Sequence, residues 1–273
     1  MNDLKDYTIR ATDGDIGHVK DFYFDDEAWV IRYLIVEAGS WLSSRKVLIS
    51  PIAIDHPNGT EKILPVSITK EQVKNSPDID TEKPVSRQHE RRYLGYYCYP
   101  AYWGGGGLWG GGLYPYMMLP GYAGAASMPN AGHSETEKVY AEHAEAVRHQ
   151  DDDIHLRSCK AVMGYHIEAT DGDVGHVESL LVDEKTWAIR YFVVNTSNWW
   201  LGHQVLIAPQ WIQDVSWSDS TVSVNLTRQA VQDAPQYDPA APPDRAQEMD
   251  IYEHYGRPGY WGTEVERNKE TAL

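Results

Sequence analysis

Histidines stand at matching places in two parts of this 273-residue chain, His18 and His176, each shortly after an Asp-Gly-Asp sequence. Imidazole nitrogens bind transition metals and exchange protons near neutral pH. If the two parts pair about a pseudo-twofold axis, these histidines could meet as a metal or proton site, although two nitrogens alone leave a zinc site incomplete. The alternative is a local hydrogen bond made by each histidine on its own strand.

Carboxylates precede both histidines, in Asp13-Gly14-Asp15 and Asp171-Gly172-Asp173. An EF-hand calcium loop starting at Asp13 would need Gly sixth and Glu twelfth, but His18 and Phe24 stand there. The Asp-Gly pair is instead typical of a tight hairpin turn. We therefore assign structural turn roles to Asp13, Gly14, Asp171 and Gly172.

Arg32 and Arg190 interrupt the two most apolar segments of the chain. A buried guanidinium needs a carboxylate or several carbonyl groups, because an unpaired buried charge is very costly. Asp13, Asp25 and their copies are the candidate partners. A structural ion pair is predicted, with an anion-binding spot as the alternative.

Several tryptophans flank two further predicted strands. In a small β-domain they fill the core or an interface between domains, whereas exposed tryptophans would mark a binding surface. Both interpretations stay open for Trp41, Trp199, Trp200 and Trp211.

No catalytic residues, cofactor or preformed metal site are predicted. His143, His149 and His155 are six residues apart, whereas helical zinc ligands are typically four apart. Cys98 has no basic neighbour that would lower its thiol pKa. The chain also lacks a nucleophile elbow and a phosphate-binding loop. We therefore expect a protein that is not an enzyme.

The composition narrows the classes of partner. A net charge of −16 argues against nucleic acid, whose phosphates need clustered Lys and Arg. The apolar runs are too short for a transmembrane segment, and the N-terminus lacks a secretory signal pattern. With only two cysteines, a cytoplasmic location is the simplest expectation.

An internal repeat organises the elements that carry these residues. Residues 11–19, ATDGDIGHV, recur as 169–177, ATDGDVGHV, at an offset of 158, and 26 of 73 positions agree between 8–80 and 166–238. The offset still holds at Tyr102-Trp103 and Tyr260-Trp261. Each copy predicts short strands from the hairpin turn onward, followed in the first copy by a short helix capped by Thr69.

These motifs resemble the PRC-barrel, a small β-barrel named after the cytoplasmic part of the photosynthetic reaction-centre H subunit. The resemblance rests on ATDGDIGHV, WVIRYLIV and VLISP and implies binding or stabilising surfaces. It predicts a mainly β chain of two small antiparallel barrels in tandem, each with a short helix and an aromatic tail. The membrane helix of the H subunit has no counterpart here, so its role is not transferred.

The predicted domains follow from the repeat and from composition. Residues 93–134 contain no Asp, Glu, Lys or Arg, and the Gly-rich part predicts a flexible aromatic linker whose removal leaves both barrels folded. The boundaries are 1–92 for the first repeat with a tail to 103, 104–134 for the linker, 135–157 for an acidic helix and connector, 158–240 for the second repeat, and 241–273 for a tail.

The sequence predicts a scaffold or adaptor that binds another protein or a membrane-associated complex. The repeats are expected to pair as an intramolecular pseudo-dimer, with homo-oligomerisation as an alternative. The rival hypothesis is a small-ligand or metal sensor that uses a cleft between barrels. A weaker one, from the family name alone, is a role near photosynthetic electron transport.

Overall fold

The computed structural model describes residues 4–43, 45–55, 61–77, 85–103, 105–119, 155–196 and 203–262. Contacts divide the chain into two compact units. The N-terminal unit comprises Leu4–Ser158 together with Lys185–Trp187. The C-terminal unit contains Cys159–Glu184 and Ala188–Leu273.

In the described part of the chain, a mixed sheet of six strands forms the core of the N-terminal unit. The strands are β1 Thr8–Ala11, β2 Gly14–Asp25, β3 Val30–Ala38, β4 Lys46–Ile49, β5 Ile63–Pro65 and β6 Leu156–Ser158. Their order is β4-β3-β2-β1-β5, and β6 pairs with β2. Strand β3 is buried on both faces apart from Glu37, as its nearly continuous apolar sequence predicts.

The hairpin between β1 and β2 confirms the predicted turn, since Ala11 pairs with Gly14 across two loop residues. Asp13 Oδ1 accepts a 2.7 Å hydrogen bond from the backbone N–H of Lys70, at the start of the first helix. Gly17 allows the closest strand approach, because a Cβ there would lie 1.9 Å from the carbonyl oxygen of Glu37. The turn motif thus fixes both a helix and a neighbouring strand.

The C-terminal unit repeats the first five strands of this arrangement and differs in its sixth. Its six strands are β7 His166–Ala169, β8 Gly172–Val182, β9 Ile189–Asn195, β10 Gln204–Ile207, β11 Ile212–Ser216 and β12 Thr221–Val224. They follow the order β10-β9-β8-β7-β12-β11. Asp171 Oδ1 again accepts a 2.7 Å hydrogen bond from the first helical N–H, here that of Arg228.

Short helices follow each sheet. They are α1 Lys70–Lys74, α2 Arg87–Tyr97, α3 Cys159–Val162, α4 Arg228–Gln232 and α5 Arg245–His254. Thr69 and Gln72 form the predicted capping box of α1. Helices α2 and α5 were not predicted and lie where aromatic tails were expected. Their aromatic residues pack inward, as Tyr93 on Tyr33 and Tyr252 on Trp211 show.

The predicted fold class needs one correction, and its two barrels stay a prediction. The chain is mainly β, but the sheets are mixed rather than antiparallel, because β1 pairs with β5 and β7 with β12 in parallel. Among the described residues, neither sheet closes into a barrel by strand pairing. The parallel pairing arises because β5 joins the outer edge of β1, after a turn at Pro51–Ala53 and a loop only partly described.

The described part of the Gly-rich segment, residues 105–119, is folded rather than a flexible linker. Trp109 is completely buried, and its indole N–H donates to the carbonyl of Thr186 in the same unit. A Cβ on Gly105 or Gly107 would lie 2.3 Å from the backbone of Gly110 or Gly112. These glycines therefore permit close backbone packing, and removal of 104–132 is now expected to damage the N-terminal unit.

Several predictions concern residues outside the described ranges. Trp199, Trp200, His143 and His149 lie there, as do most of the acidic helix at 135–157 and the chain end beyond 262. Of the predicted connector, residues 155–157 are described, and β6 begins within them at Leu156. Among the described helices, none has the length and apolarity needed to cross a membrane.

Candidate functional site

A fully buried carboxylate, Glu90 on α2, lies at the centre of the N-terminal unit. Its Oε1 accepts hydrogen bonds from the hydroxyls of Tyr33 at 3.0 Å and Tyr102 at 2.6 Å. Its Oε2 lies 2.8 Å from His155 Nε2 and 3.3 Å from Arg87 Nη1. The four partners come from β3, from α2 itself and from segments outside the helices and strands, so one carboxylate joins distant parts of the unit.

The tyrosines in this cluster are held in their neutral form. Burial raises the pKa of Tyr33 well above its ordinary value, and the negative charge of Glu90 raises it further. The pKa of Tyr102 is also raised well above its ordinary value, first by burial and then by the charge of Glu90. Both hydroxyls therefore remain hydrogen-bond donors to the carboxylate far into the alkaline range.

Arg32 lies beside the cluster and confirms the predicted ion pair. Its Nη2 donates to Asp25 Oδ2 at 3.2 Å, and its Nη1 donates to the carbonyl oxygen of Leu108 at 2.6 Å. The guanidinium carbon also lies 3.9 Å from the ring centroid of Tyr102 and 4.9 Å from that of Trp109. With a 3% exposed side chain, Arg32 has its charge balanced by Asp25 inside the unit.

The C-terminal unit contains the same cluster at the same offset of 158. Glu248 accepts hydrogen bonds from the hydroxyls of Tyr191 and Tyr260, at 2.9 and 3.0 Å. Arg245 Nη1 lies 2.9 Å from Glu248 Oε2. Arg190 pairs with Asp183 at 3.2 Å and lies 3.9 Å from the ring centroid of Tyr260.

The two clusters differ in their enclosure. In the N-terminal unit the arginine and aspartate side chains are 3% and 8% exposed, whereas Arg190 and Asp183 are 11% and 27% exposed. The N-terminal cluster also contains His155, which directly precedes β6 and so attaches that strand to α2 through Glu90. The charge network of the N-terminal unit is therefore the more deeply buried one.

The remaining predicted site residues are spread over the two units. His18 is exposed, with Nδ1 3.4 Å from Thr8 Oγ1, and His176 lies on β8 of the C-terminal unit. Trp41 is half-buried and donates to the carbonyl of Ile16, and Trp211 is buried. The meeting of His18 with His176, and the pseudo-dimer that it requires, stay predictions.

Chemically, each cluster is arranged to hold a charge rather than to transfer one. Every oxygen of Glu90 faces donors of the protein itself, and the carboxylate has no exposed surface for a substrate. Within the described ranges, no three His, Cys, Asp or Glu side chains are grouped as a preformed metal centre. The clusters therefore act as buried anchors that attach α2 and α5 to their sheets.

Sequence analysis missed the anchors, although the repeat contained a signal for them. Arg87, Glu90 and Tyr102 recur as Arg245, Glu248 and Tyr260 at the offset already found in the strands. The match of Tyr102 to Tyr260 was already found, and extending the comparison to residues 81–92 would have added an arginine–glutamate pair retained in both copies. His155 has no counterpart within this chain, so the repeat contained no signal for it.

The first part of the chain matches a known family. Residues 1–73 match the model of the PRC-barrel domain.

A PRC-barrel domain occupies residues 1–73.

This PRC-barrel domain contains β1 to β5 and all but the last residue of α1, and it ends before α2. Glu90, Arg87 and Tyr102 therefore lie outside the matched region. The family match covers the first repeat only, and a comparison with proteins of curated function finds no match to the chain.

Proposed function

We propose that this chain is a non-catalytic adaptor that binds a protein partner through an uncharged aromatic surface of its N-terminal unit. We also propose that the C-terminal unit is a second PRC-barrel-like domain. The observation that carries the adaptor proposal is a stacked pair of partly exposed tyrosines on a firmly anchored segment.

The correspondence between the units supports the second domain. At an offset of 158, β7, β10 and α4 have the same bounds as β1, β4 and α1. Both parallel strand pairs correspond as well, since Thr8 pairs with Ile63 and His166 with Thr221. A shared order, register and buried anchor favour a common fold.

The burial of the charged groups supports a function without catalysis. General acids and nucleophiles must lie within hydrogen-bond distance of a substrate. Glu90 is fully buried, and Asp25 accepts hydrogen bonds from Arg32 and from two backbone N–H groups of its own turn. These charges stabilise the fold and leave binding to other surfaces.

The binding surface that we propose, the tyrosine pair, consists of Tyr114 and Tyr116. Their rings stack with centroids 5.3 Å apart, and Tyr116 is 43% exposed. Trp109, Leu113 and Met118 anchor the same segment in the core. Protein interfaces are enriched in tyrosine and methionine and depleted of charge at their centre, and a preorganised segment loses little entropy on binding.

The test compares two variants of the full-length tagged chain in its native cells. Tyr114→Ser/Tyr116→Ser removes the tyrosine pair, whereas Tyr96→Ser removes a tyrosine of similar exposure from α2. We expect a specific protein to be captured by the wild type and Tyr96→Ser but lost with the double variant. In isothermal titration with the purified partner, the wild type and Tyr96→Ser should bind with similar affinity, and the double variant should bind more weakly. Equal binding by all three, or no specific partner, would contradict the proposal.

A further inference from the structure

The β7–β8 hairpin of the C-terminal unit brings two histidines together within one sheet. His166 on β7 is the register partner of His176 on β8. The backbone N–H of His166 donates to Ser220 on its other side, so the two histidines form a non-hydrogen-bonded pair. In such pairs the side chains project from the same face and lie closest together.

Two carboxylates occupy the next position along this hairpin. Glu168 is the register partner of Asp173, and both side chains are exposed. Asp173 Oδ1 also lies 3.8 Å from His166 Nδ1. Two carboxylates therefore stand side by side on this face, where they can supply oxygen ligands to one ion.

The N-terminal unit shows the same hairpin without these features. Thr8 stands opposite His18, and Arg10 stands opposite Asp15 with Nε 2.8 Å from Oδ1. The second repeat therefore has a second imidazole in place of a hydroxyl. It also has a carboxylate in place of a guanidinium. Both differences favour a cation on this face of the C-terminal unit only.

We propose that this face of the C-terminal unit binds a divalent transition cation of the Zn²⁺ and Cu²⁺ class. His166 and His176 supply the nitrogen ligands, and Asp173 and Glu168 supply carboxylate oxygens. No three of these side chains are grouped around one point in this structure, so binding requires their rotation toward the ion. Imidazole with carboxylate suits these ions. The side chains are exposed enough to rotate around an ion, with His166 66% and Asp173 48% exposed. The site requires no contact between His18 and His176.

The experiment is isothermal titration of the full-length chain with ZnCl₂, with CaCl₂ as the hard-cation control. The chain has 11 histidines, and others among them can also bind Zn²⁺. The test is therefore the difference in Zn²⁺ affinity between the wild type and each variant. His166→Thr and Glu168→Arg introduce the residues of the N-terminal hairpin into the C-terminal one. We expect His166→Thr to weaken the tightest Zn²⁺ site by at least about tenfold, since even outer-shell partners of a metal are each worth about 10- to 100-fold.

Two further variants make the test specific to this face. His18→Ala removes the histidine of the N-terminal hairpin and should leave Zn²⁺ affinity unchanged. Thr8→His/Arg10→Glu should add a second site of similar affinity to the N-terminal unit. In nuclear magnetic resonance, the imidazole signals of His166 and His176 should shift together as Zn²⁺ is added. Unchanged Zn²⁺ binding in His166→Thr, or imidazole signals that do not respond, would overturn the proposal.

Discussion

Glu90→Gln tests whether a buried charge anchors α2 to its sheet. Glutamine keeps an oxygen for Tyr33 and Tyr102 but places an N–H₂ group toward His155 and Arg87, where the carboxylate accepts at 2.8 and 3.3 Å. Hydrogen bonds to charged groups are each worth about 1.5–3 kcal/mol and neutral ones about 0.5–1.5. Two are weakened and two are lost, so the free energy of unfolding should fall by at least about 3 kcal/mol, and by about 3–5 kcal/mol if the loss resembles that of other broken buried ion pairs.

Glu248→Gln in the C-terminal unit is the matched control. It has no histidine partner, and its Arg245 is 53% exposed and so already solvated, which reduces the expected loss to about 1–2 kcal/mol. Hydrogen exchange read by mass spectrometry on peptides from 87–97 and 245–254 separates the two units. Each variant should accelerate exchange in its own helix. Unchanged exchange at 87–97 in Glu90→Gln would refute the assignment of Glu90 as an anchor. Equal losses of unfolding free energy in the two variants would refute the argument that deeper burial makes the N-terminal cluster the stronger one.

Four further predictions use urea denaturation of the full chain, the last of them with absorbance measured as well. Gly17→Ala and Gly175→Ala should each destabilise by about 1–3 kcal/mol, because the added Cβ would lie 1.9 or 2.1 Å from a carbonyl oxygen of the adjacent strand. Gly95→Ala, with no neighbouring atom within 4 Å, should stabilise by about 0.5–1 kcal/mol. Trp109→Ala should lose about 3–5 kcal/mol; an unchanged midpoint would restore the interpretation of that segment as a flexible linker. Burial raises the pKa of Tyr99 from 10 to about 12. The contribution of its neutral hydroxyl to the free energy of unfolding is therefore complete below pH 10 and is lost as the pH rises from 10 to 12. Tyrosinate absorbance, measured at each pH, should rise as this stability is lost.

Local patterns in the sequence predicted those elements that depend only on nearby residues. The hairpin turn at Asp13, the strand around Arg32 and the capping box at Thr69 all follow from short-range rules of spacing and hydrogen bonding. The partner of Arg32 was also predictable, because a buried guanidinium requires a carboxylate and Asp25 precedes it by one hairpin.

The anchor could not be predicted from local patterns. A glutamate in a polar helical segment is normally exposed, and Glu90 is buried only because Tyr33 lies 57 residues earlier in the chain and His155 lies 65 residues later. The prediction of a flexible Gly-rich segment was wrong for a similar reason. Glycine signals both flexibility and close packing, and only the position of Trp109 shows which applies.

The anchor also has an evolutionary consequence for a chain built from two copies of one unit. Replacing Glu90 alone would leave buried donors of Tyr33, Tyr102 and Arg87 without their acceptor, which lowers the stability of the unit. The interior cluster therefore tolerates fewer substitutions than the exposed positions do. The two copies retain the same interior network, while the outward faces of their first hairpins, at Thr8 and His166, have become different in chemistry.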